Sequence, residues 1–261
     1  MRRRRKMVNK TAKQTALWEG RIVAWFSCGK ASAVAAKLTI EKYGDRCEVV
    51  NCDTLSTEHE DNARFLKDCE RWYGRPIKQI RSKLYQDIDE VFEETRYMAG
   101  IGGARCTVEM KKIPRFDFQD VADVHIFGYT ADPKEIARAR RFEQQNPELF
   151  VEWILIDLGV TKQICFDVLA KAGIAPSAMY SLGFDNANCK GCVKSKSPGY
   201  WNRTRIHFPD VFQRRCEQSR KLGVRLVQLK GERTFLDELP PDVGLEIPDE
   251  DIECGPMCQA A

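Results

Sequence analysis

Residues 21–32 read RIVAWFSCGKAS: an apolar run, Arg21–Phe26, leads at once into Ser27-Cys28-Gly29-Lys30-Ala31-Ser32. A short, unbroken apolar run predicts a strand buried on both faces. Ala, Val and Leu then recur at helical spacing through Lys30–Lys42, so the stretch predicts strand, tight turn and helix. Such a turn suits an anion, because the first backbone N–H groups of the helix point outward and the helix dipole adds partial positive charge. Ser27 and Ser32 offer hydroxyl donors, Gly29 permits close backbone approach, and Lys30 adds a charge. The loop is too short for GxxxxGK[ST]. A plain strand-to-helix turn capped by serine is the alternative reading.

Working outward, Glu48–Cys52 predicts a second strand, Asn62–Tyr73 a helix, Ile77–Ile80 a short strand and Ile88–Tyr97 a helix broken at Gly100–Gly103. His125–Tyr129 predicts a further strand, Pro133–Gln145 a helix with Pro near its start, Val151–Ile156 a strand and Thr161–Ala172 a helix. Beyond Pro176 the pattern is irregular until a helix at Pro209–Leu222. Alternation of this kind predicts an α/β fold with a doubly wound, mainly parallel sheet. The expected organisation is a basic arm (1–20), a nucleotide-fold body (21–172) and a cysteine-bearing C-terminal region (173–261).

The chain has 261 residues, enough for a sizeable core without a disulfide framework. Residues 1–20 carry +6 of a total of +4, which leaves −2 for the remainder. The basicity belongs to the arm, which suits contact with nucleic acid or an anionic surface, or stands as a solvated terminus. No apolar stretch reaches the roughly 18–20 residues of a membrane helix, and MRRRRKMVNK lacks the apolar core of a secretory signal. The expectation is a cytoplasmic protein without a membrane partner, its oligomeric state open. In that compartment the eleven cysteines are expected as thiols, metal ligands or redox groups.

Several residues stand where chemistry is expected. Asp53-Thr54 ends the second strand, where open α/β sheets place ligand contacts. His59 lies in the acidic loop TEHED and reads as a surface histidine. Arg138 and Arg141 share a face of the Pro133–Gln145 helix and suit phosphate, or simply solvent. Cys189-Lys-Gly-Cys192 fits a redox pair, half a zinc site or two ligands of an iron–sulfur cluster. Gly199–Asn202 and Phe208–Phe212 are aromatic-rich and read as core packing or as a wrap around a bound group. Cys47, Cys52, Cys69, Cys165 and Cys216 read as buried small hydrophobes.

Ser27–Ser32 resembles the S-G-G-x-[DK]-S pyrophosphate loop of the adenine nucleotide alpha-hydrolase (PP-loop) superfamily, with Cys28 replacing the first Gly. RCTVEMKKIP resembles the CC-x-x-R-K-x-x-P segment of adenylyl-sulfate reductases: Cys106 fills the first cysteine, Thr107 replaces the second, and Lys111 and Pro114 keep their places. Cys106 precedes Cys189 by 83 positions, similar to that family's gap before its CxxC. Glu253-Cys254-Gly255 resembles the family's terminal E-C-G-[IL]-H, with Cys258 near the histidine. In order and spacing the chain resembles the phosphoadenosine phosphosulfate reductase family over most of residues 21–258.

That resemblance implies an adenine nucleotide held by Ser27, Cys28, Gly29, Lys30, Ser32, Asp53, Thr54, Arg138 and Arg141. It implies a [4Fe-4S] cluster on Cys106, Cys189 and Cys192, with zinc as the alternative. The fourth ligand is left open among Cys258, Cys254, Cys28, Cys216 or none. It implies a reductase in which Cys254 attacks the sulfur of a sulfonucleotide and Cys258, or a thioredoxin-like dithiol, resolves the product. The alternatives are an ATP-dependent sulfurtransferase modifying a nucleic acid, and a non-catalytic regulator on the same fold.

Overall fold

The computed structural model describes residues 20–100 and 102–246. In chain order the main elements are β1 (Ile22–Phe26), α1 (Lys30–Tyr43), β2 (Cys47–Cys52), α2 (Asp61–Tyr73), β3 (Lys78–Ile80) and α3 (Ile88–Thr95). A small hairpin, β4 (Ala99–Gly100) and β5 (Gly103–Ala104), precedes a helical run over residues 105–118 whose middle, Val108–Lys112, is π-helical. Then follow β6 (Val124–Ile126), α4 (Pro133–Gln145), β7 (Phe150–Glu152), α5 (Lys162–Lys171), α6 (Pro198–His207), α7 (Pro209–Leu222) and the hairpin β8 (Val227–Leu229) and β9 (Glu232–Thr234).

These elements form two compact units, neither of them one continuous stretch of chain. Of the described residues, the first draws on 20–51, Arg64–Ile80 and Asp117–Pro176. It holds a five-stranded parallel sheet in the order β3-β2-β1-β6-β7. Ile22 pairs with Cys47 on one side of β1 and with Val124 on the other. All five residues of β1 are buried, which explains why this central strand reads as an unbroken apolar run. The sheet grows from β1 through β2 to β3, then returns to the other side of β1 with β6 and β7. The order therefore reverses between β1 and β6, and such a switch point opens a crevice at the carboxyl ends of the strands.

Of the described residues, the second unit draws on Cys52–Ala63, Arg81–Phe116 and 177–246. Its core gathers Phe92, Met98, Met110, Met179, Tyr200, Trp201 and Phe212 with Cys189 and Cys192. The aromatic segments after the CxxC are therefore core residues. Several elements have no counterpart in the sequence reading, among them the hairpin β4–β5, the helical run over 105–118, α6, capped by Ser197 Oγ accepting from Tyr200 N, and the hairpin β8–β9. The expected strand Val151–Ile156 shortens to Phe150–Glu152, because Ile154–Asp157 turns helical. No helix among the described residues is long and apolar enough to cross a membrane.

Candidate functional site

The first unit's candidate site is the turn between β1 and α1. Ser32 closes it: Ser27 N donates to Ser32 Oγ at 3.1 Å, and Ser32 Oγ donates to Gly29 O at 2.9 Å. Ser27 Oγ lies 3.2 Å from the same hydroxyl. Gly29 caps α1 in an extended conformation with no side-chain cap, which leaves the helix start to other partners. Gly128, two residues beyond β6, completes the turn. A Cβ on Gly128 would sit 2.6 Å from Ser32 N and 2.9 Å from the carbonyl carbon of Ala31, so only glycine lets the chain pass there. Gly128, read from the sequence near a strand end and ahead of the Arg138–Arg141 helix, brings the β6 loop against the start of α1 at the switch point.

Two of the expected contact residues turn away. Cys28 adopts φ 55°, the left-handed conformation that favours glycine, and is fully buried. Its thiol therefore points away from solvent, and its contribution to the turn is backbone. Lys30 is buried with its Nζ 3.7 Å above the Phe166 ring, a cation–π contact. Arg138 pairs with the buried Glu135 at 2.5 Å and stacks over Tyr129 at 5.1 Å, whereas Arg141 is exposed.

The second unit gathers the expected metal ligands. Cys106, Cys189 and Cys192 line one small hollow, with a cavity volume of about 10 Å³, together with Thr54, Thr107 and Lys111. Cys189 and Cys192 are buried and Cys106 is partly exposed. The CxxC turn is held from several directions. Tyr200 Oη accepts from Cys192 N at 2.6 Å and donates to Cys189 O at 3.3 Å, bridging both cysteines. Burial pushes the Tyr200 phenol well above its ordinary pKa, so the bridge stays protonated. Arg215 Nε donates to Gly191 O at 3.2 Å, and Gly191 turns with φ 63° where a Cβ would meet Val211 Cγ1 at 2.8 Å. Thr57 O accepts from Lys190 N at 2.9 Å, and Thr57 Oγ1 lies 3.2 Å from Cys189 Sγ.

Asp53 and Thr54 separate in role. Asp53 accepts from Leu55 N at 3.2 Å and from Arg81 at 2.7 Å, so it shapes the turn after β2. Thr54 faces the cysteine hollow and donates to the buried Glu58 at 2.6 Å. Asn62 in turn donates to Glu58 at 2.8 Å and accepts from Ser177 Oγ at 2.5 Å. Glu58, Asn62 and Tyr200 escaped the sequence reading. TEHED reads as an acidic surface loop, and nothing local marks Glu58 as buried. His59 is partly exposed, packed edge-on against Phe208.

The other cysteines behave as packing. Burial pushes the Cys47, Cys52, Cys69 and Cys165 thiols up to about 12 and Cys216 up to about 11, which keeps them protonated and unreactive. Cys254, Cys258 and most of the basic arm lie outside the described residues.

Three thiols around a hollow can hold a thiolate-bound group, because soft sulfur donors select zinc or iron–sulfur. A closed zinc site draws its ligands to about 2.0–2.3 Å from one point. Among the described residues no three His, Cys, Asp or Glu side chains converge in that way. The three thiols border a small space instead, and the buried Thr107 Oγ1 beside it has no hydrogen-bond partner among the described residues. No family model matches the chain, and no curated protein matches its sequence.

Proposed function

We propose that the protein is a sulfonucleotide reductase of the phosphoadenosine phosphosulfate reductase type, which binds an adenine nucleotide and handles sulfur with the help of a thiolate-held iron–sulfur cluster. One observation carries the reading: Thr54, the residue two positions beyond β2, lines the same hollow as Cys106, Cys189 and Cys192. A strand-end segment of the kind that contacts nucleotides in open α/β sheets thus shares a wall with three thiols. The glycine-tight turn at Ser27–Ser32 supports an anionic partner for the first unit.

In this reading the Cys254 thiolate attacks the sulfonyl sulfur. The bond from sulfur to the phosphate oxygen breaks, and the nucleotide monophosphate leaves with the electron pair. The resulting cysteine thiosulfonate is attacked at the Cys254 sulfur by Cys258 or by a thioredoxin-like dithiol. A disulfide forms and sulfite leaves, so two thiols supply the two electrons. The cluster on Cys106, Cys189 and Cys192 supplies electrostatic and structural support to the site when bound. Lys111, buried on the wall of the same hollow, adds positive charge for an anionic substrate.

The test is direct. The purified chain is offered adenylyl sulfate, its 3′-phosphorylated form and ATP, and sulfite release is followed with a dithiol present. Sulfite from a sulfonucleotide, lost in Cys254→Ser, is the expected result; full release by Cys254→Ser ends the mechanism.

The place of Thr107 favours a second reading. The hollow offers three sulfurs where a fully ligated cluster uses four, which leaves one position for an outside sulfur atom, as an ATP-dependent sulfurtransferase would use it. AMP and pyrophosphate formed from ATP only with a nucleic-acid acceptor would select this reading over the first.

A further inference from the structure

The last described residues are strapped to α6 by their carbonyls. Asn202 Nδ2 donates to Pro240 O at 2.8 Å and to Val243 O at 2.9 Å, and Arg205 Nη2 donates to Leu239 O at 2.8 Å. Arg203 Nη1 donates to Leu245 O at 3.3 Å. The sequence suits a strap held this way, because Pro240 and Pro241 have carbonyls but no N–H. At its far end the strap crosses the main chain of α6. Gly244 turns with φ 81°, a Cβ on it would meet Gly199 N at 2.8 Å, and a Cβ on Gly199 would meet Gly244 O at 2.1 Å. The crossing therefore needs glycine on both sides. Asn202 is fully buried, so the strap is built into the second unit. Gly199 stands next to Tyr200, whose hydroxyl bridges Cys189 and Cys192. One end of α6 thus fixes both the CxxC turn and the root of the chain that leads to Cys254.

We infer that the α6 strap is a positioning device for Cys254, with Asn202, Arg203 and the Gly199–Gly244 crossing as positioning residues that set how much free chain carries the nucleophile. The inference rests on the Cys254 chemistry of the proposed function and on nothing bound in the hollow. Cys254 follows Glu246 by eight positions, so a root fixed at Glu246 keeps the thiol within roughly 30 Å of it. A tethered group meets its target at an effective concentration that falls roughly as the −3/2 power of the tether length. Without the strap the free link would run from the end of β9, Thr234, which is 20 positions before Cys254. That change lowers the effective concentration about fourfold.

The experiment uses the full chain carrying Cys258→Ser, offered adenylyl sulfate without a reductant. The reaction then stops once the Cys254 sulfur has displaced AMP from the sulfonyl sulfur. Thiosulfonate on Cys254 is followed by mass spectrometry in a single turnover, and adenylyl sulfate affinity by calorimetry. A dozen Gly and Ser residues inserted after Glu246 should slow thiosulfonate formation about fourfold at unchanged affinity. The same insert at Gly231, in the turn of the β8–β9 hairpin ahead of the strap, should leave the rate unchanged, because the strap re-seats the chain on α6. With the strap broken by Asn202→Ala and Gly244→Ala, the Gly231 insert should slow the reaction as well. A strap that serves stability alone would not make the rate depend on where the insert lies. Equal losses from the two inserts in the unbroken chain overturn the inference, and so does a Gly231 insert that stays silent once the strap is broken. Arg203→Met, which gives up only the bond to Leu245 O, covers a strap-broken chain that fails to fold. It should slow thiosulfonate formation by a smaller factor at unchanged affinity, and a parent rate there overturns the inference. A parent chain that forms no Cys254 thiosulfonate overturns the reductase reading itself, and this result is seen before any insert is made.

Discussion

The turn Ser27–Ser32 and the turn Cys189–Cys192 are both tight loops lined with chemistry-bearing residues, and they are held by different means. The first is shaped by its own main chain, with Ser32 closing back on Ser27 and Gly29. Gly128 reaches it from afar, and that residue contributes by having no side chain. The second is braced by side chains from outside the turn: the Tyr200 hydroxyl on both cysteines, the Arg215 guanidinium on Gly191, and Thr57 from 132 positions away. A loop of the first kind tolerates surface change around it but no added Cβ at its contact. A loop of the second kind fails when a distant brace is removed.

Arg215 gives the sharpest way to break this contrast. It is 2% exposed and bonds Asp89, Gln218 and Gly191 O together. Arg215→Leu leaves the Gly191 carbonyl without its guanidinium donor and Asp89 with Arg214 and Gln218 alone, and leaving a buried acceptor unsatisfied costs about 1–3 kcal/mol. Arg214 pairs with the same Asp89 at 2.8 Å but is 47% exposed, and exposed pairs contribute about 0–1 kcal/mol. Urea unfolding should therefore separate the two leucine variants widely, with iron uptake falling only in Arg215→Leu. Equal midpoints would show that the CxxC turn does not depend on its remote brace.

Gly128→Ala tests the other loop. The new methyl meets backbone atoms of Ala31 and Ser32 that cannot swing aside, and such overpacking costs about 1–3 kcal/mol. The turn must shift to admit it, so affinity for ATP and adenylyl sulfate in calorimetry should fall at least about tenfold, the equivalent of about 1.4 kcal/mol. Unchanged affinity in a folded Gly128→Ala chain would detach nucleotide binding from this turn.

Asp89 extends the contrast to pH. Burial alone would raise its pKa, but Arg215, Gln218 and Arg214 outweigh that and hold the carboxyl below its ordinary value. A depressed native pKa gives stability that is present above the unfolded value, about 3.9, and is lost as pH falls through the native one. The melting-temperature gap between the parent chain and Asp89→Asn should be full near neutrality and should close as the pH drops below about 4. A gap that stays constant across that range removes the ion pair from the account of how the brace is held.

The same contrast explains what was legible in the sequence. β1, α1 and α4 announce themselves through local periodicity and through Pro133 at a helix start, and they lie within a residue or so of where the pattern puts them. The sheet and its phosphate-type turn follow from that. Cys106, Cys189 and Cys192 were legible as a set through spacing, and they do line one hollow. What holds them was not legible. Tyr200 and Arg215 act across loops, and a tyrosine in an aromatic-rich segment reads the same whether it packs or bridges two cysteines. Glu58 is buried by partners as remote as Ser177, through Asn62. The interleaved course of the chain through both units rests on such long-range pairings as well.

Cys28 carries the smallest expected effect and bears on how far main-chain geometry governs the first loop. Its left-handed φ of 55° costs a non-glycine residue roughly 1–2 kcal/mol. Cys28→Gly relieves that strain, but it removes a buried side chain and loosens the unfolded chain, which costs about 0.4–1 kcal/mol on its own. The terms oppose, so the melting temperature should move little, and nucleotide affinity should stay within about twofold, or roughly 0.4 kcal/mol. Cys28→Val places a β-branched residue in the same conformation and should lose far more stability than the glycine variant. Glycine that binds as well as cysteine, beside a valine variant that does not fold, would establish that position 28 acts through its backbone. A clear loss of affinity in Cys28→Gly would instead assign the thiol a part in binding and make the loop more like its braced counterpart.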